Sequence, residues 1–135
     1  MNTVRAFVPR LIKDQNGAGM VEYATAVREY RPLAERGDAK AQFGLGLMYG
    51  NGEGVPQDYA EALQWYRKAA AQGHAKAQYN LGLMYGNGEG VPQDYVQAHM
   101  WYNLAASIFP PGEDRDKAVK NRDIVAKRMT PAQIA

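Results

Sequence analysis

Residues 45–59 read Leu-Gly-Leu-Met-Tyr-Gly-Asn-Gly-Glu-Gly-Val-Pro-Gln-Asp-Tyr, and the same run returns unchanged at 81–95. Extended outward, the comparison lays Ala39–His74 on Ala75–Pro110 without a gap, with 24 of 36 positions identical. A fixed period of this length marks stacked supersecondary units, each too small to bury its own apolar face. A fainter half-copy comes first. Tyr23, Ala24, Ala26, Tyr30, Ala34 and Gly37 fall on Tyr59, Ala60, Ala62, Tyr66, Ala70 and Gly73.

Each unit reads as two helices. In the first, from about Ala39 to Tyr49, Ala41, Leu45 and Met48 share one face at i, i+4 and i+7. Gly44 and Gly46 each cost about 1 kcal/mol relative to Ala inside a helix. Gly46 recurs as Gly82, so a neighbouring backbone is expected to pass close there. The run 50–54 supplies positive-φ positions that end the helix, and Pro56 blocks its continuation. Asp58 with Glu61, and Asp94 with Gln97, have the spacing of an N-cap and its reciprocal partner. Tyr59, Ala62, Leu63, Tyr66, Ala69 and Ala70 then form the apolar stripe of a second helix. The residues alone therefore predict an all-α stack of helix pairs.

The pattern A-x-A-Q-x-x-L-G-L-M-Y-G-x-G-x-G-V-P-x-D-Y-x-x-A-x-x-W-Y-x-x-A-A stands at Ala39–Ala70 and again at Ala75–Ala106. It resembles the Sel-1-like repeat, a tetratricopeptide-related family. The resemblance covers about Tyr23 to Pro110. It implies antiparallel helix pairs stacked into a short right-handed α/α superhelical solenoid, and a role in holding protein complexes together.

On this reading residues 1–22 are a flexible tail, 23–38 a half-repeat helix, 39–74 and 75–112 two repeats, and 113–135 a capping helix with a truncated tail. Pro32 removes one backbone hydrogen bond from the half-repeat helix and collides with the carbonyl of Arg28, so a kink or break is expected around 28–31. Thr130 and Gln133 announce one more helix start. Upstream, Leu11–Tyr23 resembles the leader of the tight-adherence (Flp-type) class IVb prepilins. That resemblance implies a peptidase site at Gly17, with Glu22 and Tyr23 in the family's Glu-Tyr positions. The long apolar stem of a prepilin does not follow, because Arg28 and Glu29 interrupt it.

Composition bounds the chemistry. The 135 residues allow one small domain, and a formal charge of +2 does not imply a nucleic-acid-binding surface. The chain has no Cys, which excludes disulfides, thiol nucleophiles and Cys-ligated metals. His74 and His99 fall at different repeat positions and imply no shared metal site. Neither a metal nor a cofactor is expected. No run approaches the ~20 apolar residues needed to span a bilayer. Localisation is cytoplasmic by default, with envelope association if the leader is used.

Glu53 and Glu89 are loop carboxylates one repeat apart, a separation on the scale of glycosidase carboxylate pairs. They are the basis for an alternative reading, a small hydrolase of the β-lactam or cell-wall type; the simpler reading is exposed turn charges. The leader motivates another alternative, an accessory of a pilus or secretion system. Trp65 and Trp101 are expected to pack between repeats, His99 to be partly buried, and His74 to be a solvated loop residue.

The favoured expectation is a non-enzymatic protein–protein interaction scaffold. In tetratricopeptide-like stacks the first helices line the concave face. Lys40, Phe43 and Leu47, with Lys76, Tyr79, Asn80 and Leu83, lie opposite the Ala41/Leu45/Met48 face. An aromatic and leucine strip edged by lysine suits a protein or peptide segment of acidic character. Phe43 and Tyr79 packing against the next layer is the competing reading. Two and a half units also predict weak end-to-end self-association.

Overall fold

The computed structural model describes the backbone of residues 18–134 and the side chains of residues 23–133. Among these residues there are seven helices and no strand: α1 (Ala18–Glu35), α2 (Ala39–Asn51), α3 (Tyr59–Ala71), α4 (Ala75–Asn87), α5 (Tyr95–Ile108), α6 (Glu113–Ala126) and α7 (Pro131–Ile134). From α1 to α6 each helix packs mainly on its neighbours in sequence. The chain is therefore an all-α solenoid in which α2/α3 and α4/α5 are the two full layers.

Local chemistry fixes the boundaries. The Asp58 carboxylate accepts from the Glu61 N–H at 3.1 Å, and that of Asp94 from the Gln97 N–H at 3.1 Å. Gly52 and Gly88 adopt φ 69° and 71°, and their N–H groups donate to the carbonyls of Met48 and Met84. These left-handed positions suit glycine because a Cβ would be strained there. At the far end, Thr130 Oγ1 accepts from the Gln133 N–H and Gln133 Oε1 accepts from the Thr130 N–H, a reciprocal capping box.

The pairing within a layer turns on Gly46 and Gly82. A Cβ at Gly46 would stand 2.4 Å from the Tyr66 ring, and one at Gly82 would stand 2.5 Å from the Tyr102 ring. The close approach expected at these glycines is thus made by a buried tyrosine ring of the partner helix, not by backbone. Tyr66 is wholly buried among Leu47, Leu63, Leu81 and Met84.

Layers are joined by bonds that repeat at the same 36-residue interval. Arg31 Nη2 donates to the Tyr49 hydroxyl at 2.6 Å, and Arg67 Nη2 to the Tyr85 hydroxyl at 2.5 Å. Gln42 Nε2 donates to the Ala34 carbonyl and Gln78 Nε2 to that of Ala70. Charge-assisted bonds of the first kind are the stronger class.

Two expectations change at the N-terminal end. The helix starts at Ala18, more than a turn before Tyr23, within the stretch expected to be tail. It also runs unbroken through Pro32. Pro32 lies exposed in the last turn, and core packing of α1 on both sides of it holds the helix together despite the lost bond to Arg28. On either side of it, Tyr23, Val27 and Ala34 anchor α1 in a core with Ala41, Leu45, Met48 and Trp65.

At the other end, α6 closes the stack by burying Ala118 and Val125 against Tyr79, Tyr102 and Ala105. Gly112 gives α6 no side-chain cap, but Glu113, Asp114 and Asp116 in the first turn complement the helix dipole.

Candidate interaction surface

The first helix of each layer is sandwiched between the second helices on either side of it, and this decides where the expected partner-binding residues lie. Lys40 is exposed and Lys76 half-buried. Phe43, Leu47, Tyr79, Asn80 and Leu83 are all buried, Leu47 and Asn80 completely. Phe43 packs on His74 with ring centroids 4.6 Å apart and on Tyr66 at 5.9 Å. Tyr79 packs on Tyr102 at 5.5 Å, and its hydroxyl accepts from Asn121 Nδ2 at 2.8 Å. Both rings therefore serve the contact between layers, and a partner reaches only their margins.

Asn80 replaces Gly44 of the first copy. A Cβ at Gly44 would meet the Tyr30 ring at 2.7 Å, whereas Asn80 sits near the Tyr66 hydroxyl. Neither that hydroxyl nor the Asn80 carboxamide makes a well-formed hydrogen bond. Burial pushes the Tyr66 phenol far above its ordinary value.

His74 was expected in solvent, but it is half-buried and caps α4, its Nδ1 accepting from the Ala77 N–H at 3.2 Å. The equivalent Asp38 caps α2 through the Ala41 N–H at 2.9 Å. Burial lowers the His74 pKa below its usual 6.5, and Lys76 and Lys40 lower it further. The two lysines, one repeat apart, thus both act on a single imidazole that lies against Phe43.

The loop glutamates are structural. Glu53 is buried, not an exposed turn charge, and accepts from Asn51 Nδ2 at 3.2 Å. Glu89 lies by the Tyr59 hydroxyl, whose pKa is raised by burial first and then by that carboxylate. Trp65 is buried, donates from Nε1 to Glu61 and carries Lys68 Nζ 4.8 Å from its ring centroid. His99 is half-buried and borders a cavity with Val96, Met100 and Met129. Among the described residues no group of three or more His, Asp or Glu side chains is arranged to hold a metal, and no helix is long and apolar enough to cross a membrane. Gly17 and the Glu22 side chain lie outside the described residues.

One surface was missed in the sequence. Val96, Met100, Leu104 and Ile108 form an exposed apolar stripe along α5. The first copy has Ala60, Gln64, Lys68 and Gln72 in the same places, so the divergence between the copies carried the signal.

The Sel1 repeat model matches residues 39–74 and 75–107, more than half of the chain. This chain belongs to the Sel1 repeat family. Sel1 repeats are typically protein-interaction scaffolds. Among solved structures the chain is similar to a protective antigen of uropathogenic Escherichia coli strains that displays an SLR fold. The identity is 39% over 84% of this chain and 23% of that one, with a TM-score of 0.77. It is also similar to a Sel1 repeat protein from Oxalobacter formigenes, 35% identical over 78% of this chain and 50% of that one, with a TM-score of 0.63. The chain thus spans half or less of these relatives. No curated protein matches it.

Proposed function

We propose that this Sel1 repeat chain is a non-enzymatic scaffold that holds an acidic segment of a partner protein against the outer margin of its first helices. The observation that carries this reading is that Lys40 and Lys76 stand one repeat apart on the first helices and both act on His74, whose ring packs 4.6 Å from that of Phe43. Lys40 is exposed, and the apolar ring margins of Phe43 and Tyr79 lie on the same helices. Lysines flanking aromatic edges attract carboxylates by charge and hold the intervening chain by apolar contact. Leu47, Asn80 and Leu83 act from behind, keeping α2 and α4 in register. Glu53 is buried on Asn51 of its own loop and Glu89 lies by Tyr59 of the preceding layer, and this supports scaffolding over hydrolysis.

The test is charge reversal on the rim, because truncating the buried strip would unfold the chain. The Lys40→Glu, Lys76→Glu variant is expected to keep the wild-type helical signal and lose binding of fluorescein-labelled acidic peptides. Equal binding by variant and wild type would reject this surface. Turnover of a β-lactam or peptidoglycan substrate that disappears in Glu89→Gln would favour the hydrolase instead.

A further inference from the structure

Each layer of the stack is clasped by the loop of the next. A Cβ at Gly54 would stand 2.5 Å from the Tyr23 backbone, and one at Gly90 would stand 2.8 Å from the Tyr59 carbonyl oxygen. In the better-defined clasp Glu89 lies by the Tyr59 hydroxyl, and Gln57 Nε2 approaches the same hydroxyl at 3.4 Å. Tyr59, at the start of α3, is therefore a seat for the glycine-flanked Glu89. The third such tyrosine is Tyr95, and among the described residues no glycine-flanked glutamate reaches it. The link after α6 is four residues, 127–130, with no glycine and no glutamate.

A cavity of about 310 Å³ stands at this position, bordered by Gly86, Asn87, Gln93, Tyr95, Asn121 and Arg128. Tyr95 is half-exposed, and the Arg128 guanidinium lies 6.0 Å from its ring centroid. Arg128 makes no ion pair among the described residues, and Asn121 and Asn87 add amide groups to the wall. Where the inner seat holds a carboxylate, the outer seat thus offers a cation, a phenol and amides. Its volume suits one side chain and a tight turn of backbone, at the small end of ligand pockets.

We propose that the Tyr95–Arg128 pocket binds a glutamate in a glycine-rich turn of a partner protein, repeating in trans the seat that Tyr59 gives Glu89. A second copy of this chain is a poorer occupant, because its own two such loops are already seated on Tyr23 and Tyr59. The pocket lies apart from the Lys40/Lys76 rim and does not depend on it.

The probe is the synthetic peptide Gly-Asn-Gly-Glu-Gly-Val-Pro-Gln, the sequence of residues 86–93, titrated into the full ¹⁵N-labelled chain. Saturable shifts are expected at residues 86–87, 95, 121 and 128 with affinity in roughly the millimolar range, as befits a short flexible peptide. A Glu→Gln peptide should bind about tenfold more weakly, and so should the wild-type peptide to Arg128→Gln or Tyr95→Phe. Arg128 is exposed, so Arg128→Gln should leave the melting temperature unchanged. Absence of saturable shifts, equal binding of the Glu→Gln peptide, or shifts centred on Lys40 and Lys76 would each overturn the proposal. A dimer in sedimentation that is lost in Arg128→Gln would reassign the pocket to a second copy and overturn the choice of partner.

Discussion

Gly90 rests on Tyr59: its α-carbon lies so near the preceding layer that a Cβ would stand 2.8 Å from the Tyr59 carbonyl oxygen, while its own φ is 75°. Gly54 stands in the same relation to Tyr23. The glycine-rich loop therefore does two jobs. It ends one helix and it locks that layer to the one before.

Gly73 separates these two requirements. It has φ 87° with nothing near a built Cβ, so Gly73→Ala meets conformational strain alone, about 1–2 kcal/mol. Gly90→Ala meets the same strain plus a backbone collision, adding about 1–3 kcal/mol. Urea denaturation should rank the two in that order. Equal losses would show that the contact with Tyr59 carries no weight.

Helical glycines make the opposite comparison. Gly46→Ala and Gly82→Ala drive a methyl into the Tyr66 and Tyr102 rings and should destabilise by about 1–3 kcal/mol, despite a helix-propensity gain of about 1 kcal/mol. At Gly86 the nearest atoms to a built Cβ are 3.7 and 3.8 Å away. Gly86→Ala should therefore stabilise by up to about 1 kcal/mol. A stabilised Gly82→Ala in the same melting series would contradict the packing described.

The helix caps were legible because Asp58, Asp94, Gly52 and Gly88 signal through local backbone chemistry, which one short window of sequence contains. The partner of Gly46 was not. The glycine announces a close approach, but only tertiary packing reveals that a tyrosine ring makes it. The expected face of Phe43, Leu47 and Tyr79 was misjudged for a related reason. Helical periodicity separates two faces of α2, yet it does not show that helices on both sides cover them. His74 was legible in principle, since it occupies the position of the capping Asp38. Its imidazole does not look like a cap when read alone.

His74 links stability to pH. Its neutral Nδ1 accepts from the Ala77 N–H, and protonation would remove that acceptor beside two lysines. Burial, then Lys76 and Lys40, hold the folded-state pKa below 6.5, so the unfolded chain takes up the proton more readily. The contribution is therefore complete above pH 6.5 and falls as pH drops from there through the lower, folded pKa. In His74→Asp the cap acceptor persists through this window. Denaturation midpoints across mildly acidic pH should fall less steeply in the variant than in the wild type. Parallel profiles would mean that His74 does not couple folding to protonation.

The α5 stripe predicts a solution behaviour that its counterpart on α3 would not give. Val96, Met100, Leu104 and Ile108 are 38–46% exposed, while the same positions of the first copy hold Ala, Gln, Lys and Gln. Four partly exposed apolar side chains are too small a patch for a tight dimer, but large enough for weak association as concentration rises. Met100→Gln with Leu104→Lys restores two first-copy residues at sites where little is buried, so stability should change by no more than about 1 kcal/mol. Sedimentation velocity over a concentration series should then show reduced association. If the variant associates as the wild type does, the contact lies elsewhere on the chain.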